Sequence, residues 1–163
     1  MTIFNRRLSE YAAFCGPFLV LIAVMGAARL GLTLGGLPNA TVKWFSINAV
    51  LWIGVLYYSV RVHTSGFGSY KELLVICALQ NLVEQAVVIL GIVLAILTGT
   101  TNIFSTPEYS FGTNLWVHLG AHLTIGLIAG TLMPWLIGSA ILAVTRRVFP
   151  TVRGAAARAG QVV

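Results

Sequence analysis

The feature that most constrains this chain is a set of four apolar runs, each long enough to cross a lipid bilayer. A membrane-spanning helix needs about 20 mostly apolar residues. Four segments meet that requirement, at about residues 11–34, 44–60, 73–98 and 115–145. The sequence therefore predicts an all-α integral membrane protein, folded as one four-transmembrane-helix bundle over residues 1–147.

Composition excludes the main classes of soluble protein. Only 9% of the 163 residues are charged and 58% are hydrophobic, whereas an ordinary soluble domain carries about 25% charged residues. A soluble enzyme of this length could not cover its surface with so few charges. Cys15 and Cys77 both lie inside apolar runs, so they do not suggest a secreted disulfide framework.

The basic residues predict how the bundle is oriented. Eight of the ten lysines and arginines fall on one side of a four-helix arrangement, namely Arg6, Arg7, Arg61, Lys71, Arg146, Arg147, Arg153 and Arg158. By the positive-inside rule we expect both termini in the cytoplasm, and the bacterial plasma membrane (the cell inner membrane) as the location. The basic residues flank apolar runs, which disfavours a nucleic-acid partner. Residues 148–163 are expected to form a mobile basic tail.

A cleaved signal peptide is the alternative interpretation of the first segment. Arg6 and Arg7 resemble the basic start of such a peptide, and Gly26-Ala27-Ala28 resembles a loose cleavage site. The apolar run over residues 11–28 is longer than the usual apolar region of about 7–15 residues. This length favours a helix that stays in the protein.

A cluster of polar residues lies near the middle of the third segment. Helical periodicity places Gln80, Asn81 and Glu84 on one face, which should turn towards the bundle interior. An ionisable side chain at this depth is expensive and needs a partner. Two interpretations stay open: Glu84 titrates or binds a ligand, or it strengthens helix packing through hydrogen bonds.

Arg29 is the second ionisable residue at membrane depth. It lies in the outer part of the first segment, where its long side chain can extend to the membrane surface. Alternatively it turns inward and pairs with Glu84 or Glu108. The inward arrangement would add Arg29 to the buried polar network.

Two histidines begin the fourth segment. Their spacing of four residues puts His118 and His122 on one helix face, and Glu108 in the preceding loop is a candidate third ligand. Such a set suits Zn or Cu. The competing interpretation is a pair of histidines hydrogen-bonded to neighbouring helices. Haem is disfavoured because the remaining histidine, His63, is predicted at the opposite end of the bundle.

The same four-residue spacing continues along the fourth segment as Gly126, Gly130, Pro134 and Gly138. Small residues let another backbone approach closely, and Pro134 removes a helical hydrogen bond. This row predicts a helix-packing surface.

These patterns leave three classes of function open. The favoured one is a membrane subunit, not an enzyme, that forms a homo-oligomer or joins a partner membrane subunit around a buried polar network. The first alternative is a small proton-coupled transporter or channel that uses Glu84. The second is a metal, redox or lipid-modifying membrane protein that uses His118 and His122.

Overall fold

The computed structural model describes residues 1–109 and 114–149, and within these residues the fold is helical apart from a short N-terminal hairpin. Four helical segments are long and apolar enough to cross a membrane: Leu8–Leu34, Asn39–Thr64, Tyr70–Thr98 and Leu115–Val148. The predicted number and order of apolar helices are therefore confirmed. Which side of a membrane holds the termini stays a prediction.

Short connections join the first three spans, and residues 99–114 join the third span to the fourth. Strands β1 (Thr2–Ile3) and β2 (Arg6–Arg7) pair in an antiparallel hairpin. The first three spans contain α1 (Leu8–Leu34), the short α2 (Asn39–Val42), α3 (Ile47–Thr64) and α4 (Tyr70–Thr98). The fourth span contains α5 (Leu115–Ala121), a π-helical turn at His122–Gly126 and α6 (Leu127–Val148), and a single 3-10 turn at Pro107–Tyr109 precedes it.

Capping residues move several helix ends away from the predicted bounds. The second long helix begins at Ile47, not near residue 44, because the Ser46 side chain accepts a hydrogen bond from the Ala49 N–H (3.2 Å). α4 begins three residues early because the Glu72 carboxylate accepts from the Ser69 N–H (2.7 Å). α6 runs on to Val148, and the predicted tail from residue 150 onward lies outside the described residues.

The four spans form a bundle in which α3 and α4 separate α1 from α6. α1 packs against α3 and α4, and α6 packs against the same two helices from the other side. Arg6 Nε donates to the Phe67 carbonyl (2.8 Å), and His63 Nε2 lies 2.8 Å from the Phe149 carbonyl. We call this the terminal end of the bundle; the opposite loop end holds residues 35–46 and the connection after Thr98.

Both halves of the bundle bury large side chains and leave some unfilled space. Near the terminal end, large side chains from all four spans are fully buried, including Tyr11, Tyr58, Leu73 and Leu142. α6 approaches α3 so closely there that a Cβ added to Gly138 would lie 2.6 Å from Ser59 Oγ. The loop-end half contains a cavity lined by several polar side chains, and a second cavity lies on the flank of the terminal half beside Phe14 and Tyr58.

Candidate functional site

A cavity of about 450 Å³ lies between the spans in the loop-end half. Its polar wall residues are Arg29, Asn48, Asn81, Glu84, Gln85, His118 and His122. Its other wall residues are Ile47, Val88, Ile103, Phe104, Ala121, Ile125, Gly126, Ala129 and Gly130. A mainly apolar wall with a few polar groups, and a volume within about 300–1,000 Å³, are typical of small-molecule sites.

The cavity is covered at the loop end and reaches the bundle surface at its side. Ile103 and Phe104 form the cover, and both are buried. Asn48 of α3 and Ala129 of α6 are exposed wall residues, and Ile125 is 66% exposed. Exposed wall residues therefore lie on α3 and on the fourth span.

Hydrogen bonds from Asn102 hold the cover in place. The Asn102 side chain donates to the Gly91 carbonyl of α4 (2.7 Å) and accepts from the Phe104 N–H (2.9 Å). Gly91 is needed because an added Cβ would lie 2.6 Å from the Phe104 ring. A buried asparagine thus fixes a loop on the cavity.

Glu84 occupies the middle of α4 and contributes its carboxyl group to the cavity wall. The residue is 7% exposed, and no residue in the described ranges forms a hydrogen bond with it. A buried polar group without a hydrogen bond is expensive in an apolar interior. Arg29 lines the same cavity and interacts electrostatically with Glu84, so an acidic and a cationic group lie close together on the wall.

The structure divides the predicted polar cluster between two sides of α4. Gln80 is fully buried against Gly54 and Phe18, and its amide oxygen and nitrogen have no hydrogen-bond partner among the described residues. Asn81 instead turns towards the fourth span and is fully hydrogen-bonded. The helix thus presents two different polar surfaces to its neighbours.

Asn81, Gln85 and His122 form a continuous network from α4 to the fourth span. Asn81 Nδ2 donates towards the Gly126 carbonyl (3.2 Å), the Leu127 carbonyl (3.0 Å) and Thr131 Oγ1 (3.0 Å). Gln85 Nε2 donates to Asn81 Oδ1 (3.2 Å), and Gln85 Oε1 lies 2.7 Å from His122 Nδ1. The network orients one imidazole on the cavity wall.

The network reaches the fourth span where its π-helical turn ends. A π turn widens the helix and disturbs the regular ladder of backbone hydrogen bonds. The Asn81 amide reaches two carbonyls, those of Gly126 and Leu127, where this turn ends. Asn81 therefore ties α4 to the junction between the π turn and α6.

The two predicted histidines lie together, but Glu108 does not complete a metal site with them. The rings of His118 and His122 are perpendicular, with centroids 4.7 Å apart. His118 is buried, and its Nε2 lies 3.1 Å from the Phe104 carbonyl. No group of three His, Cys, Asp or Glu side chains suited to a metal occurs in residues 1–109 and 114–149. Glu108 is exposed in the 3-10 turn.

Arg29 turns inward to the same cavity as Glu84. Its guanidinium carbon lies 5.5 Å from the centroid of the Phe104 ring, a distance suited to a cation–π contact. The half-buried side chain therefore supports the cover and adds a cationic group to the wall. Of the two predicted orientations, the inward one is found.

The small-residue row packs within the chain. An added Cβ would lie 2.9 Å from Gln85 Oε1 at Gly126 and 2.5 Å from Asn81 Oδ1 at Gly130. Pro134 is buried, and Gly138 lies against Ser59 of α3. The small residues of this row thus let polar side chains of α3 and α4 contact the fourth span. That the row also forms contacts between chains stays a prediction.

Sequence reasoning missed the linking role of Gln85 and the cover formed by residues 102–104. Gln85 stands one turn after Asn81, and that spacing is the signal for an amide ladder. Asn102 precedes two apolar residues in an otherwise polar loop, which is a weaker signal. Comparison with family models, with curated proteins and with solved structures gives no match.

Proposed function

We propose that this chain is a membrane protein that binds a small amphipathic ligand in the loop-end cavity. The observation that carries the proposal is Glu84: a nearly buried carboxyl group in the wall of a mainly apolar cavity, with no hydrogen bond to residues 1–109 or 114–149. A ligand head group beside Glu84 would form a hydrogen bond there, in addition to the electrostatic interaction of Glu84 with Arg29. The ligand's apolar part would lie against Ile47, Val88 and Ile125.

Access from the bilayer fits this cavity better than access from water. Ile103 and Phe104 cover its loop end, while exposed wall residues lie on α3 and on the fourth span. We infer that the cavity opens through a gap between these two spans, on the flank of the bundle. A lipid-like molecule could move sideways through that gap without leaving the membrane. Its head group would then reach the polar wall near the centre of α4.

The packing of the terminal half favours a binding site over a continuous channel. Tyr58, Leu73 and Leu142 are fully buried below the cavity. Gly126, Gly130 and Gly138 contact α3 and α4 of the same chain, so the row gives less support to the oligomeric-subunit interpretation. A binding protein therefore accounts for more of the observed contacts.

Photolabelling tests the proposal directly. Three ten-carbon probes would carry a diazirine at the tail and a hydroxyl, carboxylate or trimethylammonium head group, and each would be added to the chain in lipid nanodiscs. We expect at least one probe to label Ile47 or Val88 inside the bundle, as mapped by peptide mass spectrometry. Ala121→Phe places a ring in the cavity and should suppress that labelling.

The matched control is Ala140→Phe, because Ala140 is an exposed alanine of α6 outside the cavity wall. It should leave the interior labelling unchanged. Ala129→Phe offers a second way to fill the cavity if Ala121→Phe does not fold. Labelling restricted to outward positions such as Leu90, with the same pattern in all variants, would refute the binding proposal.

A further inference from the structure

The hydrogen-bond network determines which nitrogen of His122 carries a proton. The carbonyls of Gly126 and Leu127 can only accept, so the Asn81 group that faces them is its NH₂. Asn81 Oδ1 must then accept from Gln85 Nε2, which leaves Gln85 Oε1 facing His122 Nδ1. Because Oε1 is an acceptor, Nδ1 is the nitrogen that bears hydrogen.

A neutral imidazole with hydrogen on Nδ1 has a lone pair on Nε2. His122 lines the cavity, and Nε2 makes no hydrogen bond to a described residue. The wall therefore presents a fixed hydrogen-bond acceptor at this point.

The charged groups of the wall offset one another. Arg29 contributes a cation and Glu84 an acidic group. In a low-dielectric site, a ligand with a net charge would upset that balance and lose its own hydration. An uncharged head group avoids both costs.

From these observations we propose that the cavity selects an uncharged amphiphile with a hydroxyl head group, which donates a hydrogen bond to His122 Nε2. This inference rests on the proposed ligand-binding function and specifies its ligand class. A lipid alcohol or a phenol has the required chemistry. An ether of the same size lacks the donor, and fatty carboxylates and quaternary amines carry charge.

A competition experiment compares these head groups. Each competitor carries the same ten-carbon tail, and we measure how strongly it reduces photolabelling of the cavity residues. The competitors are decanol, decyl methyl ether, decanoate and decyltrimethylammonium, at matched concentrations in the nanodisc lipid. The photoprobe is whichever one labels Val88 best. We expect decanol to compete best and the ether roughly tenfold more weakly, since the ether leaves a buried acceptor unpaired.

Two variants test whether the His122 ring causes the preference for decanol over its ether. His122→Phe keeps an aromatic ring but removes Nε2, so decanol and its ether should compete equally. His63→Phe, at the terminal end, should keep the full preference. If His122→Phe does not fold, ¹⁵N-histidine NMR of the unaltered chain serves instead: decanol, but not the ether, should shift the Nε2 resonance of His122.

The outcomes separate the two proposals. Interior labelling that decanoate or decyltrimethylammonium displaces best, or that all four compounds displace equally, would overturn the hydroxyl preference and leave ligand binding standing. An NMR spectrum with the His122 proton on Nε2 would overturn it as well. Failure of every photoprobe to label the interior would refute both proposals.

Discussion

At the scale of single residues, two adjacent amides on α4 have opposite surroundings. Asn81 is fully buried and hydrogen-bonded to the fourth span, whereas Gln80 is fully buried with both amide atoms unpaired. Removing a hydrogen-bonded side chain leaves its partners without a hydrogen bond. Replacing an unpaired polar side chain with an apolar one of similar shape leaves no partner unsatisfied. The two positions should therefore respond oppositely to apolar substitution.

We predict that Asn81→Leu lowers the free energy of unfolding by about 1–3 kcal/mol, because the carbonyls of Gly126 and Leu127 and the amide of Gln85 lose their partner. Gln80→Met should leave stability unchanged or raise it by about 1 kcal/mol, since it removes an unpaired buried amide. Thermal unfolding of both variants in one detergent measures the difference. Equal destabilisation would contradict the network described above.

At the scale of elements, the glycines of the fourth span differ in how closely they approach other helices. Gly130 faces α4, and a Cβ there would lie 2.5 Å from Asn81 Oδ1. Gly120 belongs to the same span, but a Cβ there would meet nothing within 4 Å. Close approach to α4 therefore depends on individual positions, not on the general glycine content of the span.

This contrast predicts opposite effects for the same chemical change. Gly130→Ala should destabilise the bundle by about 1–3 kcal/mol, because it forces α4 and α6 apart or displaces the Asn81 amide. Gly120→Ala should be neutral or stabilising by up to about 1 kcal/mol, since alanine favours a helix more than glycine does. Unfolding in detergent, followed by circular dichroism, tests both. A stabilised Gly130→Ala protein would show that the close helix contact is absent.

At the scale of the whole molecule, most of the basic residues and the cavity of the candidate site lie at opposite ends of the bundle. The terminal end carries Arg6, Arg61, Lys71, Arg146 and Arg147, while the cavity lies in the loop-end half. Four spans return the chain to the side on which it starts. If the basic end faces the cytoplasm, the cavity opens within the outer leaflet.

Reporter fusions test that orientation. Green fluorescent protein fused to the C-terminus should fluoresce, and alkaline phosphatase at the same position should be inactive, because the positive-inside rule retains the basic end in the cytoplasm. Phosphatase fused after Gly36, in the first loop-end connection, should be active. The reverse pattern would place the cavity in the cytoplasmic leaflet and overturn the predicted topology.

The number, order and approximate limits of the spans could be read from the sequence because they depend on local properties. About 20 consecutive apolar residues are enough to specify a spanning helix, whatever its neighbours are. Helical periodicity likewise placed Glu84 and Asn81 towards the interior, and one-turn spacing placed His118 beside His122. Each of these inferences uses only the geometry of one helix.

The cavity and its network depend on how different helices meet, and no local pattern encodes that. Gln80 and Asn81 are neighbours in the chain, yet one packs on Gly54 of α3 and the other on the π turn. Gln85 acquired a role only because His122 comes within hydrogen-bonding distance from another span. Helical periodicity predicts which residues face the bundle interior. The way the helices cross determines which of those residues become partners and where a cavity remains between the helices.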